Sequence, residues 1–225
     1  MRPNKWIICC LAVLLLAALC CGCGSREAGP AQNADAPPVE GLSLPYELEG
    51  GALLVQSVFP SDVMNPDCGG EYGEGVATLE LRNSSENYLL RAEITVELAD
   101  GASLSFAVTD LPAGETIWAF STDNSAADLQ PQLKAVSCTA EFESEAPAAP
   151  EIDIAVDDTR ITLTNRTGAD IADAAVLCHC RMDEILFGGV TYTYHASLAA
   201  GESVELEAED CVLGIPEIVR IRVDS

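Results

Sequence analysis

"ATLELRNSSENYLLRAEITVEL" (residues 77–98) and "TRITLTNRTGADIADAAVLCHC" (residues 159–180) align without a gap at an offset of 82. Leu79 falls on Ile161, Leu81 on Leu163, Asn83 on Asn165, Leu89 on Ile171, Ala92 on Ala174 and Ile94 on Val176. Farther on, "LPAGETIWAF" (111–120) matches "LAAGESVELE" (198–207) at an offset of 87, so the second copy carries five extra residues in between. Self-similarity on this scale marks a duplicated unit. Each copy reads strand, Asn-centred turn, strand, hairpin, Leu-x-Ala-Gly-Glu turn, strand.

The period inside each copy is two. Leu90, Ala92, Ile94, Val96 and Leu98 share one face of an extended strand, and Arg91, Glu93, Thr95 and Glu97 share the other. Such alternation predicts antiparallel strands with one wet face. Asp100-Gly101 between alternating segments signals a hairpin, and Gly188-Gly189 before an alternating Thr/Tyr strand predicts a second one. No stretch after residue 25 keeps a 3.6-residue period over three turns. The expected fold is all-β, with two tandem immunoglobulin-like antiparallel β-sandwich domains after an N-terminal signal and a flexible tether. The expected boundaries are 50–144 and 151–225, joined through the Pro/Ala/Glu-rich "ESEAPAAPE" (143–151).

The order of these signals resembles the small FxLYD-type and related β-sandwich modules of bacterial lipoproteins, especially those of Gram-positive organisms. "FGGVTYTYHASLAAGESVEL" (187–206) carries most of the similarity. The resemblance implies extracytoplasmic binding or spacer units with no catalytic residues to carry over.

The N-terminus points to the same compartment. Arg2 and Lys5 precede an uncharged run from Trp6 to Leu19, the layout of a secretory signal and short for a spanning helix. Gly22-Cys23-Gly24-Ser25 then resembles the end of a bacterial lipoprotein signal, where diacylglycerol is added to a cysteine that follows a small residue. Residues 1–22 are the expected signal peptide and Cys23 the expected lipidation site, with Cys21 as fallback. Residues 23–49 contain much Ala, Pro and acid and little to build a core, so a flexible tether is expected there. These features predict lipid anchoring on the extracytoplasmic face of a bacterial membrane.

Charge narrows the partners. Without residues 1–22, which hold two basic residues and no acid, 9 basic residues face 36 acidic ones, a formal charge of −27. Such a surface repels phosphate backbones, which excludes nucleic acid as an expected partner. It has no polybasic patch for anionic lipid, leaving a covalent lipid as the membrane contact. The expected partner is an unidentified envelope or extracellular protein.

Five cysteines follow Cys23: Cys68, Cys138, Cys178, Cys180 and Cys211. Leu177-Cys178-His179-Cys180 suggests zinc, but in an extended strand Cys178 and Cys180 point together and His179 points away. No metal site and no cofactor are expected. A small exported domain gains from a staple, so disulfides are the expected use. Cys68 and Cys138 are an available pair in the first copy. In the second, Cys211 has a choice of Cys178 or Cys180, and the spacing leaves this open. An alternative is that all five stay reduced as small core side chains.

Catalysis has little to stand on. Only His179 and His195 could serve a nucleophile as base, and neither lies in a hydrolase or phosphate-loop motif. His195 alternates with Thr191 and Thr193 on an expected solvent face. The acids of Glu151–Asp158 read as solvated strand faces rather than calcium ligands. Tyr192, Tyr194 and Trp118 read as core and rim rather than as a ligand platform. The expected function is a non-enzymatic, tethered binding or scaffolding module. The alternatives are an accessory subunit or hydrolase of the cell envelope, or a cysteine-based metal or redox sensor.

Overall fold

A computed structural model describes residues 41–126, 132–144, 151–211 and 214–223. The signal, most of the tether and the joint at 145–150 lie outside the described residues. Thirteen strands account for nearly all of the regular structure. The first copy contributes β1 (Tyr46–Leu48), β2 (Leu53–Asn65), β3 (Glu71–Asn83), β4 (Tyr88–Leu98), β5 (Ser103–Leu111), β6 (Thr116–Phe120) and β7 (Leu133–Glu143). The second contributes β8 (Ile152–Asp157), β9 (Arg160–Asn165), β10 (Ile171–Met182), β11 (Ile185–Leu198), β12 (Ser203–Glu207) and β13 (Ile215–Val223).

The fold is all-β and, with one exception, antiparallel. Each copy is a sandwich of two sheets. In the first, β1-β2-β3-β6 faces β5-β4-β7; in the second, β12-β9-β8 faces β11-β10-β13. The exception joins the copies: β6 runs parallel to β11, with Ile117 opposite Leu186 and Trp118 opposite Phe187. That splice creates one seven-stranded sheet, β1-β2-β3-β6-β11-β10-β13.

Successive side chains of a strand point to opposite faces, so the shared sheet feeds two cores. Ile117, Ala119 and Leu186 enter the first core, beneath β5-β4-β7. Phe120 and Phe187 enter the second, beneath β12-β9-β8, with ring centroids 4.7 Å apart. The two outer sheets therefore cover opposite faces of the shared one.

The Asn-centred turn is built identically in both copies. Asn83 and Asn165 are fully buried. The Asn83 side-chain amide donates to the carbonyls of Asn87, Leu111 and Pro112 at 2.9, 3.1 and 3.2 Å. That of Asn165 donates to Ala169, Leu198 and Ala199 at the same three distances. Each carboxamide oxygen accepts from the amide and hydroxyl two residues on, in Ser85 and Thr167. The glycines of the Leu-x-Ala-Gly-Glu turn, Gly114 and Gly201, take φ of 79° and 77° and donate to the Asn83 and Asn165 carbonyls. An L side chain is strained at that φ. The two motifs thus form one locked corner, each satisfying the other's backbone.

Three expectations need correction. Residues 46–48, assigned to the tether, form β1, because Leu48 and the partly buried Tyr46 pack on the first core. In β4 a register shift between Leu89 and Arg91 turns Leu89 rather than Leu90 into the core. Gly188-Gly189 is not a hairpin: the chain reverses at Asp183-Glu184, and the glycines sit at a bulge within β11, opposite Cys178–Cys180. The first copy presses on them there, since a Cβ at Gly189 would collide with the Ala107 carbonyl oxygen of β5.

Candidate functional site

A set of buried and half-buried polar side chains lies on the seam between the copies. Asn65 caps the short 3-10 turn Pro66–Cys68, accepting from the Asp67 amide at 3.0 Å. Its own amide donates to the Ser121 carbonyl at 2.9 Å. The turn aims Asp67 across the seam, where its carboxylate accepts from the backbone amides of Phe120 (2.7 Å), Gly189 (2.8 Å) and Val190 (3.0 Å). Burial pushes this carboxyl up to about 6, against the pull of the three amides. One side chain therefore holds both strands of the parallel splice.

Asp110 of β5, almost fully buried and at φ 49°, makes a second lock. Its carboxylate lies 3.5 Å from Arg220 and 3.6 Å from Arg222, both on β13. Tyr88 donates to Asp110 at 3.4 Å, and Arg220 lies over the Tyr88 ring, 6.0 Å from its centroid. Burial raises Asp110 while the two guanidinium groups hold it down. Arg181 on β10 reaches Glu115 in the first copy at 3.2 Å and Glu217 in its own at 3.1 Å. A single partly buried pair contributes little; a network with several members fixes orientation.

His179 is fully buried on the face opposite Cys178 and Cys180, as the strand geometry requires, and β5 covers it. Its Nε2 donates to the Thr109 carbonyl at 2.9 Å, whereas Nδ1 is buried without a partner. Burial lowers the ring to about 4, so it is neutral near pH 7. Sequence reasoning missed Asp67, Asp110 and Arg220. Asn65-Pro66-Asp67 does carry a signal, a cap residue with proline at the first turn position, but its targets lie in both copies.

The cysteines divide unequally. Cys180 and Cys211 are bonded, closing a loop with a sequence separation of 31 residues. Cys178 stays a buried thiol, pushed up to about 12 by burial and then by the charge of Asp210. Cys68 and Cys138, the available pair of the first copy, both stay as free thiols. Cys68 lies just beyond the end of β2, whereas Cys138, on β7, feels the charge of Glu49, which precedes the start of β2. The 13 residues of β2 separate those ends by roughly 40 Å. Burial pushes the Cys138 thiol up to about 11. Thiols raised this far supply little thiolate, the species that metal binding and redox exchange require.

His195 is exposed on β11, and its Nδ1 lies 3.0 Å from Asp173. This supplies a base and its orienting acid. The neighbouring Ser197 hydroxyl, however, donates to the Ala172 carbonyl at 2.7 Å, so it is not held as a nucleophile for that histidine. Trp118, Tyr192 and Tyr194 pack against the second core, and the Tyr194 hydroxyl donates to Asp210 at 3.0 Å. Among the described residues, no three His, Cys, Asp or Glu side chains converge as a metal site would. Asp153 and Asp157 lie exposed along β8, Asp153 beside Arg166.

No family model matches the chain, and no curated protein matches its sequence. The functional reading therefore rests on the residues themselves.

Proposed function

We propose that the chain is a membrane-tethered extracytoplasmic lipoprotein whose double sandwich acts as a non-enzymatic binding or scaffolding module. The observation that carries this reading is Gly22-Cys23-Gly24-Ser25 directly after a basic start and an uncharged apolar run. Acylation of Cys23 anchors the chain, with Cys21 as the fallback. Residues 23–41 then span at most about 65 Å when extended, enough to hold the folded part clear of a bilayer. The Cys180–Cys211 bond suits an oxidising exterior. So does a surface with this excess of acid, which stays dispersed without attracting anionic lipid.

The polar groups on the seam support binding over catalysis. Asp67, Asp110 and His179 direct their atoms at backbone and side chains of the opposite copy, which fixes two sandwiches as one rigid platform. A platform of this kind presents loops and sheet edges to a protein partner. The test is the intact mass of protein extracted from membranes, with thiols alkylated before and after reduction. A mass beginning at Cys23 plus acyl chains, with two thiols that label only after reduction, is the expected result. A chain still carrying residues 1–22 without acyl mass overturns the anchor.

A further inference from the structure

The two copies differ at one sheet edge. Matching them through their buried asparagines places Leu53 opposite Asn83 and Ile152 opposite Asn165, so Val55 corresponds to Ile154. In the first copy β1 lies antiparallel along the outer edge of β2, with Leu48 beside Leu53 and Tyr46 beside Val55. Leu53 and Val55 are 0% exposed, and Ile152, the counterpart of Leu53, is also buried, at 9%. In the second copy no described strand follows β8, and the sheet ends β12-β9-β8. Ile154 is 43% exposed and Val156 40%.

We infer that the outer edge of β8 is a docking site for one extended segment of a partner protein, aliphatic or aromatic at alternate positions and basic between them. The inference rests on the binding-module reading and gives it a location. Backbone polarity supports it. The Arg166 amide donates to the Glu151 carbonyl, so Asp153, Ala155 and Asp157 occupy the hydrogen-bonded positions toward β9. The amides and carbonyls of Ile152, Ile154 and Val156 therefore face the bare edge. In the first copy the Ser84 amide donates to the Ala52 carbonyl, which turns the same groups of Leu53 and Val55 toward β1. The occupied edge thus shows what the bare one accepts: a short antiparallel strand with large apolar side chains at every second residue.

Charge sets the remaining positions. Asp153 and Asp157 stand exposed on the other face of β8, and Asp158 follows in the turn. A docking strand places its intervening residues beside these carboxylates, where lysine or arginine fits and acid does not. The same charges disfavour a second copy of this chain paired about Ala155. Antiparallel pairing of two β8 strands about Ala155 sets Asp153 against Asp157 of the other molecule, and like charges opposite one another destabilise a sheet.

The experiment uses the full chain, purified from membranes in detergent at physiological salt. One labelled heptapeptide alternates lysine and isoleucine; another has the same composition with the two residue types in separate blocks. Saturable binding of the alternating peptide at one per chain is expected, with the block peptide at least tenfold weaker. Ile154→Pro removes an edge-facing amide without touching the β9 ladder, and is expected to weaken binding at least tenfold. Val156→Lys sets a charge against the apolar side chains of the docked strand and is expected to act in the same direction, so the result does not depend on proline being tolerated. Equal affinity for both peptides, unchanged binding by both variants, or no saturable binding overturns the inference. So does self-association of the wild type that Ile154→Pro abolishes. Acylated Cys23 without peptide binding removes this site and leaves the anchor; peptide binding by an unacylated chain does the reverse.

Discussion

The first copy is closed on both edges of its β2-β3-β6 sheet, by β1 on one side and by β11 of its neighbour on the other. The equivalent sheet of the second copy, β12-β9-β8, is bare on both among the described residues. Yet the corner that defines the module is the same in each, down to the three distances at Asn83 and Asn165. Duplication has thus preserved the buried hydrogen bonds while the edges took different uses. A buried polar network tolerates no partial change, whereas an edge needs only to be covered, charged or occupied.

The largest expected effect breaks the symmetry of the copies. The Cys180–Cys211 bond lies in the second copy alone, so reduction, or Cys211→Ala, is expected to cost about 3–4 kcal/mol there. Denaturant unfolding with and without reductant measures it. Asn83→Ala and Asn165→Ala sharpen the comparison from the other side. Each strips the donor from several buried carbonyls and is expected to cost about 3 kcal/mol, by a similar amount in either copy. Markedly unequal losses would mean that the corners are not equivalent in energy.

Asp67→Asn tests whether the copies unfold together. An asparagine offers one acceptor oxygen where the carboxylate offers two, so it leaves a seam amide unpaired at a cost of about 1–3 kcal/mol. Calorimetry is expected to resolve one wild-type transition into two.

The seam also carries two opposed pH dependences. His179 is lowered from 6.5 to about 4, so the unfolded chain takes up a proton that the folded one refuses, and stability falls as pH drops from 6.5 toward 4. Asp67 is raised from 3.8 to about 6, so the folded chain keeps a proton that the unfolded one releases, and stability falls as pH rises from 3.8 toward 6. Relative to wild type, Asp67→Asn is expected to lose stability more steeply toward pH 4, and His179→Gln more steeply toward pH 6. Denaturant midpoints across pH 4–6.5 read both slopes. The smallest effect belongs to Lys134→Ala: its 3.3 Å bridge to Glu97 is half exposed, and less than about 0.5 kcal/mol is expected from thermal melts.

The strands were legible because their alternation is local, and the duplication because both copies kept their apolar positions. Asn83, Asn165 and the Leu-x-Ala-Gly-Glu turns stood out in the sequence for a physical reason: they are halves of one corner. The parallel splice was not legible. It depends on Ile117 and Trp118 meeting Leu186 and Phe187, a pairing of only two residues from each copy that no periodicity records. Gly188-Gly189 carried a real signal of backbone freedom, but a bulge against β5 uses that freedom as well as a turn does. His179 was placed on the correct face, and its burial came from a strand of the other copy. The spacing left the partner of Cys211 open; the bulge sets Cys178 opposite Tyr192 and Cys180 opposite Phe187, and Cys180 is the one bonded to Cys211.

The order of the seven-stranded sheet has a mechanical meaning. The chain enters it at β1 and leaves it at β13, its two outermost strands. Force applied between the outer strands β1 and β13 runs across the ladder, opening hydrogen bonds one after another instead of shearing them together. The strand that meets the N-terminal pull is the shortest in the sheet, three residues long. Peeling it away uncovers the outer edge of β2, so the first copy then shows, among the described residues, the same kind of edge that β8 already shows in the second.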